Sequence, residues 1–255
     1  MHYFDQQTPR VIAHRGESST APENTAAAFH SALELGADVL ETDIHVTADN
    51  RAVLWHDPVL ARWDDTPTVI SSLTLAQLQS RRRGPHHILE LGEALAQFPR
   101  TRFNIDVKTP AAIAATATAI RETGASHRVL LTSFDQRTID ALRALVPDSF
   151  FGTGQQAVMQ AVIAVALRSK RLLRRALDGA DAVQIPAAVR GLSLVSPRLM
   201  DAYRRHAREV HVWTVNDAEL MQRLLVVGVA GIITDQPALA RQVIDRVEDG
   251  AGAQE

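Results

Sequence analysis

Short runs of apolar, β-branched and aromatic residues recur along the chain, separated by longer stretches rich in alanine and leucine. The runs fall at residues 11–14, 39–46, 103–108, 129–134, 150–152, 182–185, 210–215 and 231–234. Such runs read as strands, and the stretches between them as helices. Strands alternating with helices predict parallel pairing and right-handed crossovers. Eight strands in a chain of 255 residues predict a (β/α)8 TIM barrel. An open, doubly wound parallel sheet is the alternative.

A ninth run, residues 51–56, follows the second strand through the polar turn Thr47-Ala48-Asp49-Asn50. This spacing predicts a small antiparallel β-hairpin extension after strand 2. With a four-residue turn, Val46 faces Arg51, Asp43 faces Leu54, and Glu41 stands roughly 5 Å from His56. Residues 57–92, with Pro58, Pro67, Pro85 and the run Arg81-Arg82-Arg83, predict loops with a short helix over the barrel mouth. The domain is expected to span residues 1–247 as a single unit, with 248–255 a disordered tail.

Composition narrows the chemistry. The chain has no cysteine, which removes disulfides, thiolate zinc sites and cysteine nucleophiles. Any metal then falls to carboxylates, histidines or water, and oxygen ligation favours Mg²⁺ or Ca²⁺. A formal net charge of -2 gives no global electrostatic reason to expect a nucleic-acid partner. The first ten residues lack a basic start followed by an apolar core, and no apolar run is long enough to span a bilayer, so a cytoplasmic enzyme is expected.

Glu41 and Asp43 lie two apart on a strand, so both carboxylates point to one side. Asp106 and Lys108 repeat the arrangement on another strand. Three carboxylates at strand ends make a hard-cation site, or else a salt-bridge network inside the barrel. His14, Arg15 and Gly16 end the first strand, where a histidine reaches the mouth and an arginine can grip a phosphate with two parallel hydrogen bonds. His56 supplies a second imidazole, so acid and base duties can be divided. Lys108 is one of only two lysines, suited either to neutralising Asp106 or to meeting developing phosphate charge. Glu23 and Asn24 read as the start of a helix running to Leu35, with Asn24 as its cap and Phe29, Ala32 and Leu33 inward. Glu23 can also orient Arg15 or a ligand.

The ordered blocks Val-Ile-Ala-His14-Arg15-Gly16, Pro22-Glu23-Asn24-Thr25, Glu41-Thr42-Asp43, Leu54-Trp55-His56-Asp57, Asn104-Ile105-Asp106-Val107-Lys108, Val212-Trp213-Thr214-Val215-Asn216 and Gly231-Ile232-Ile233-Thr234-Asp235-Gln236-Pro237 resemble the glycerophosphodiester phosphodiesterase family. The resemblance implies a barrel, a divalent metal held by Glu41, Asp43 and the acid at 106, and acid/base roles for His14 and His56. It places Arg15 and Lys108 on the substrate phosphate and Trp213 in the substrate pocket. It also suggests attack by the neighbouring glycerol hydroxyl through a cyclic phosphate. Two departures stand out: the third metal ligand is commonly glutamate in the family but is Asp106 here, and the segment after His56 is shorter than the insertion of many relatives.

Two other readings remain open. Lysophospholipids could use the same chemistry, a reading motivated by residues 157–177, which join an apolar half to Arg168, Lys170, Arg171, Arg174 and Arg175. Such a segment either makes weak peripheral membrane contact through Arg168 to Arg175 or forms a solvated barrel helix with a basic outer face. From another class, a non-catalytic barrel could bind phosphorylated ligands.

Overall fold

Each of the eight runs forms a strand. In the computed structural model, which describes residues 2–252, the strands are β1 (Arg10–His14), β2 (Val39–Val46), β3 (Ala52–Leu54), β4 (Arg102–Val107), β5 (Val129–Thr132) and β6 (Phe150–Phe151). They continue with β7 (Ala182–Pro186), β8 (Ala188–Val189), β9 (Leu192–Ser193), β10 (Glu209–Trp213) and β11 (Gly231–Thr234). Parallel pairing runs β6-β5-β4-β2-β1-β11-β10-β7, and a parallel bridge between Gly152 and Ala182 closes the circuit. The fold is therefore a (β/α)8 barrel rather than an open sheet, with β3 paired antiparallel to β2 outside it.

The helices follow as α1 (Ala26–Glu34), α2 (Ala61–Asp64), α3 (Leu75–Ser80), α4 (Leu91–Gln97), α5 (Ile113–Glu122) and α6 (Gln136–Leu145). After them come α7 (Gln155–Ala166), α8 (Lys170–Ala176), α9 (Pro197–Arg204), α10 (Ala218–Val226) and α11 (Pro237–Gly252). Alternate strand residues divide between two cores. Val11, Leu40, Phe103, Ile105, Leu131, Val183 and Val212 pack outward under the helices, whereas Ile12, Val39, Leu130, Ala182 and Ile233 fill the lumen. Burial on both faces is why the runs read as continuously apolar. Tyr3, fully buried, closes the amino-terminal end of the lumen beside an ionic group of Arg10, Glu209 and His211. A charged group this deep persists because its members neutralise one another.

Several local expectations are corrected. Thr47 extends the hairpin: its N–H donates to the Arg51 carbonyl at 3.0 Å, and Asn50 turns the chain at φ 58°. The loop proper is shorter than expected, so Val46 pairs with Ala52 rather than Arg51, and Ile44 with Leu54. A one-residue slip exchanges faces, and Trp55 turns into a separate cluster with Trp63, Leu60 and Ile70. That cluster organises residues 57–92, none of which lines the cavity at the barrel mouth, into two short helices and a 3-10 turn instead of one helix over it. The cap of α1 is Thr25, whose Oγ1 accepts from the Ala28 N–H; Asn24 instead accepts from the Thr42 hydroxyl at 2.7 Å. Residues 157–177 are broken at Arg168, φ 54°, into α7 and α8. Helix α11 runs to Gly252, so 248–252 are helical where a disordered tail was expected; 253–255 lie outside the described residues. Val243 and Ile244, both buried, anchor it to the core. No helix among the described residues is long and apolar enough to cross a membrane.

Candidate active site

Strand order determines which side chains meet at the carboxyl end of the barrel. Because β1, β2 and β4 are neighbours in register, His14 lies beside Glu41, and Asp43 beside Asp106. His14, Arg15, Glu41, Asp43, His56, Asp106, Lys108 and Trp213 all line one cavity of about 340 Å³. Glu23 does not line it; its carboxylate pairs with Arg15 at 3.3 Å and with Arg62 at 3.1 Å from outside.

Arg15 reaches the cavity through a tight turn at the end of β1. Both Arg15 (φ 58°) and Gly16 (φ 86°) adopt left-handed backbone. A Cβ on Gly16 would meet the Ala28 carbonyl carbon at 2.8 Å, so α1 presses directly on the turn. The Arg15 N–H approaches the Glu41 carbonyl at 3.0 Å and its carboxylate at 3.1 Å. Its guanidinium Nε stands 2.8 Å from Asp43 Oδ2, but the N–H is not directed at that oxygen. The contact is an ion pair, and both atoms remain without a hydrogen-bond partner.

The two imidazoles are held alike. His14 Nδ1 is 2.6 Å from Asp235 Oδ1, and Asn216 donates to the other Asp235 oxygen at 2.6 Å. His56 Nδ1 is 2.7 Å from Asp57 Oδ1, while the His56 carbonyl is gripped by the His45 ring at 2.9 Å. Each carboxylate fixes the tautomer with the proton on Nδ1 and leaves Nε2 free for chemistry. Burial, the largest influence on His14, opposes its charged form, yet the Asp235 hydrogen bond and the Glu41 charge outweigh it and raise the pKa. His56 reaches the cavity from the loop after β3 instead of through the expected pairing with Glu41.

The three carboxylates differ in what compensates them. Asp43 has Lys108 at 2.7 Å and Arg15 on its other oxygen, which together overcome burial and hold its pKa below the usual range. Asp106 shares only Lys108, at 2.5 Å, so burial prevails and its pKa rises. Among the described residues no cationic side chain is bonded to Glu41; burial, then the Asp43 charge, push it up to about 8. Three acids against two bases, with an orphaned Asp43 oxygen and an uncompensated Glu41, form a donor set that suits a hard divalent cation. As the side chains stand, the Lys108 ammonium bridges Asp43 and Asp106, and among the described residues no three acidic or histidine groups form a ready-made metal cage.

The cavity also has an apolar wall. Phe134, Val158, Met159, Val189, Leu194 and Trp213 belong to its lining, with Phe134 and Trp213 edge to face at 6.1 Å and Lys108 Nζ 5.7 Å from the centre of the Phe134 ring. Sequence reading reached Trp213 but not this wall, nor the β8–β9 hairpin that carries part of it. Two-residue strands are too short to show a period, and only the Arg190-Gly191 turn, with both residues at positive φ, betrays a hairpin. Asp57 and Asp235 were likewise visible inside quoted motifs, but nothing in the linear spacing assigns them to the imidazoles.

The sequence profile of the glycerophosphoryl diester phosphodiesterase family matches residues 14–239. The chain is 34% identical to the probable glycerophosphodiester phosphodiesterase 2 of Mycobacterium tuberculosis, over 92% of this chain and 90% of the relative. It is 28% identical to a glycerophosphodiester phosphodiesterase of Caldanaerobacter subterraneus, over 89% and 94% of the two chains. A phosphodiesterase of Oleispira antarctica, solved with the product sn-glycerol-3-phosphate, shares the fold with a TM-score of 0.75 at 24% identity, over 93% of this chain and 97% of the other. Over residues 14–239, then, the chain belongs to the glycerophosphoryl diester phosphodiesterase family.

Proposed function

We propose that the enzyme hydrolyses glycerophosphodiesters to glycerol 3-phosphate and an alcohol by general acid/base catalysis shared between His14 and His56. The observation that carries this reading is the pair of imidazoles, each held at Nδ1 by a carboxylate, in one cavity with Arg15 and Lys108. Arg15 and Lys108 supply positive charge where phosphoryl oxygens gain negative charge in the transition state. In the first step His56 Nε2 takes the proton of the glycerol hydroxyl next to the ester. That oxygen bonds to phosphorus as the bond to the alcohol breaks. His14, whose raised pKa suits it to hold a proton, delivers that proton to the departing oxygen. Water then opens the cyclic phosphate with the two roles exchanged. Attack from within one molecule lowers the barrier by roughly 7 kcal/mol or more.

Glu41, Asp43 and Asp106 would hold a divalent cation, Mg²⁺ or Ca²⁺, which when bound supplies Lewis-acid neutralisation of the phosphate. The product seen with the Oleispira antarctica phosphodiesterase is the one this reading assigns here. A second reading, lysophospholipid hydrolysis at the same site, draws on the apolar wall, which can receive an acyl chain beside the charged half. The test is turnover of glycerophosphocholine, glycerophosphoethanolamine and lysophosphatidylcholine by purified protein. Glycerol 3-phosphate should form from the first two, cease with a chelator and resume with Mg²⁺ or Ca²⁺. Product formation indifferent to chelation rejects the metal, and no turnover of any of the three rejects the reading.

A further inference from the structure

The apolar side of the cavity does not stop at its rim. Met159 on α7 lines the cavity and is 42% exposed. Ile163 and Leu167 follow at steps of four, on the same helical face, and are 52% and 66% exposed. The stripe therefore runs outward from the mouth for about 12 Å. Helix α8, directly after it, buries none of its side chains and exposes Leu172. Across the mouth the β8–β9 hairpin exposes Val189, a cavity-lining residue, and Leu192.

Charge sorts with these apolar groups. Arg168, Lys170, Arg171, Arg174 and Arg175 follow the stripe, and Arg190 caps the hairpin. Neither residues 155–177 nor residues 182–200 contain an acid, although the chain as a whole is at -2. A second copy of the chain seated here would set this basic belt against itself. An anionic bilayer offers both what the apolar groups and what the basic groups lack.

We propose that α7, α8 and the β8–β9 hairpin form a docking surface for an anionic phospholipid bilayer, holding the cavity mouth against the membrane. Met159, Ile163 and Leu167 enter the acyl boundary while the basic side chains meet headgroup phosphates. Lipid-derived diesters leaving the bilayer then enter along the apolar wall. This extends the lipid-facing reading of the cavity, but binding can be measured without turnover.

The experiment is vesicle flotation of purified protein with phosphatidylcholine alone or mixed with phosphatidylglycerol, at roughly 0.05 M and 0.5 M salt. Partition into the anionic vesicles should exceed that into the neutral ones by about tenfold or more, and high salt should remove most of the difference. Arg171→Glu with Arg174→Glu should abolish the anionic preference. Ile163→Glu with Leu167→Glu should reduce binding about tenfold. Both variants should keep wild-type melting temperature and wild-type turnover of water-soluble glycerophosphocholine. Equal partition of wild-type protein into both vesicles overturns the proposal, as does binding unchanged in both variants. A dimer in sedimentation velocity that Leu167→Glu dissolves, without vesicle binding, also overturns it and assigns the surface to self-association. Vesicle binding without turnover leaves the docking surface standing and sinks the functional reading; turnover without binding does the reverse.

Discussion

His14 is held by a carboxylate 221 positions away in sequence. Asp235→Asn keeps the shape but removes the negative charge that favours protonated His14, and an N–H offered to Nδ1 leaves a neutral ring that is a weak acid at Nε2 and cannot accept a proton there in the second step. The expected result is a fall in kcat of roughly 10²–10⁴-fold with little change in KM, read by steady-state kinetics. Glu41 yields a prediction about stability. Below about pH 4.5 its carboxyl is neutral folded and unfolded; between there and about 8 the unfolded chain ionises while burial keeps the folded group protonated. The folded state binds more protons across that window, so stability is lost as pH rises through it. The raised pKa of His14 acts in the same direction. Metal-free protein should therefore lose on the order of a few kcal/mol between pH 5 and 8, and Glu41→Gln should flatten the slope in thermal melts. A wild-type melting temperature constant over that range contradicts the assignment of Glu41 as the uncompensated acid.

At the scale of elements, the turn after β1 is where strand, helix and site are joined. Gly16→Ala adds a methyl to a left-handed backbone and drives it into α1 at 2.8 Å from Ala28. A loss of about 1–3 kcal/mol in denaturant unfolding is expected, with activity lost because Arg15 shifts with the turn. The barrel strands were legible in the sequence because each is buried on both sides, which writes an unbroken apolar run. What escaped was decided by single residues. Thr47 bonding across to Arg51 moved the hairpin by one place; Thr25, not Asn24, capped α1; and Arg168 entering left-handed backbone split one basic amphipathic segment in two. None of these leaves a periodic trace, since each turns on which of two adjacent polar groups captures a backbone bond.

Over the whole molecule, barrel closure turns distant strands into neighbours, and this sets what a linear reading can reach. Glu41, Asp43, Asp106 and Lys108 were legible because alternation along one strand already puts each pair on one face. The partners of the two histidines, and the apolar wall drawn from α7 and the β8–β9 hairpin, become visible only after the circuit closes. The proposed division of work between two carboxylate-held imidazoles in one cavity is most directly tested by the pH dependence of kcat/KM for a glycerophosphodiester. The wild-type profile should be bell-shaped, with His14→Ala losing the alkaline limb and His56→Ala the acidic limb. A bell that survives intact in either variant contradicts the division of acid and base between them.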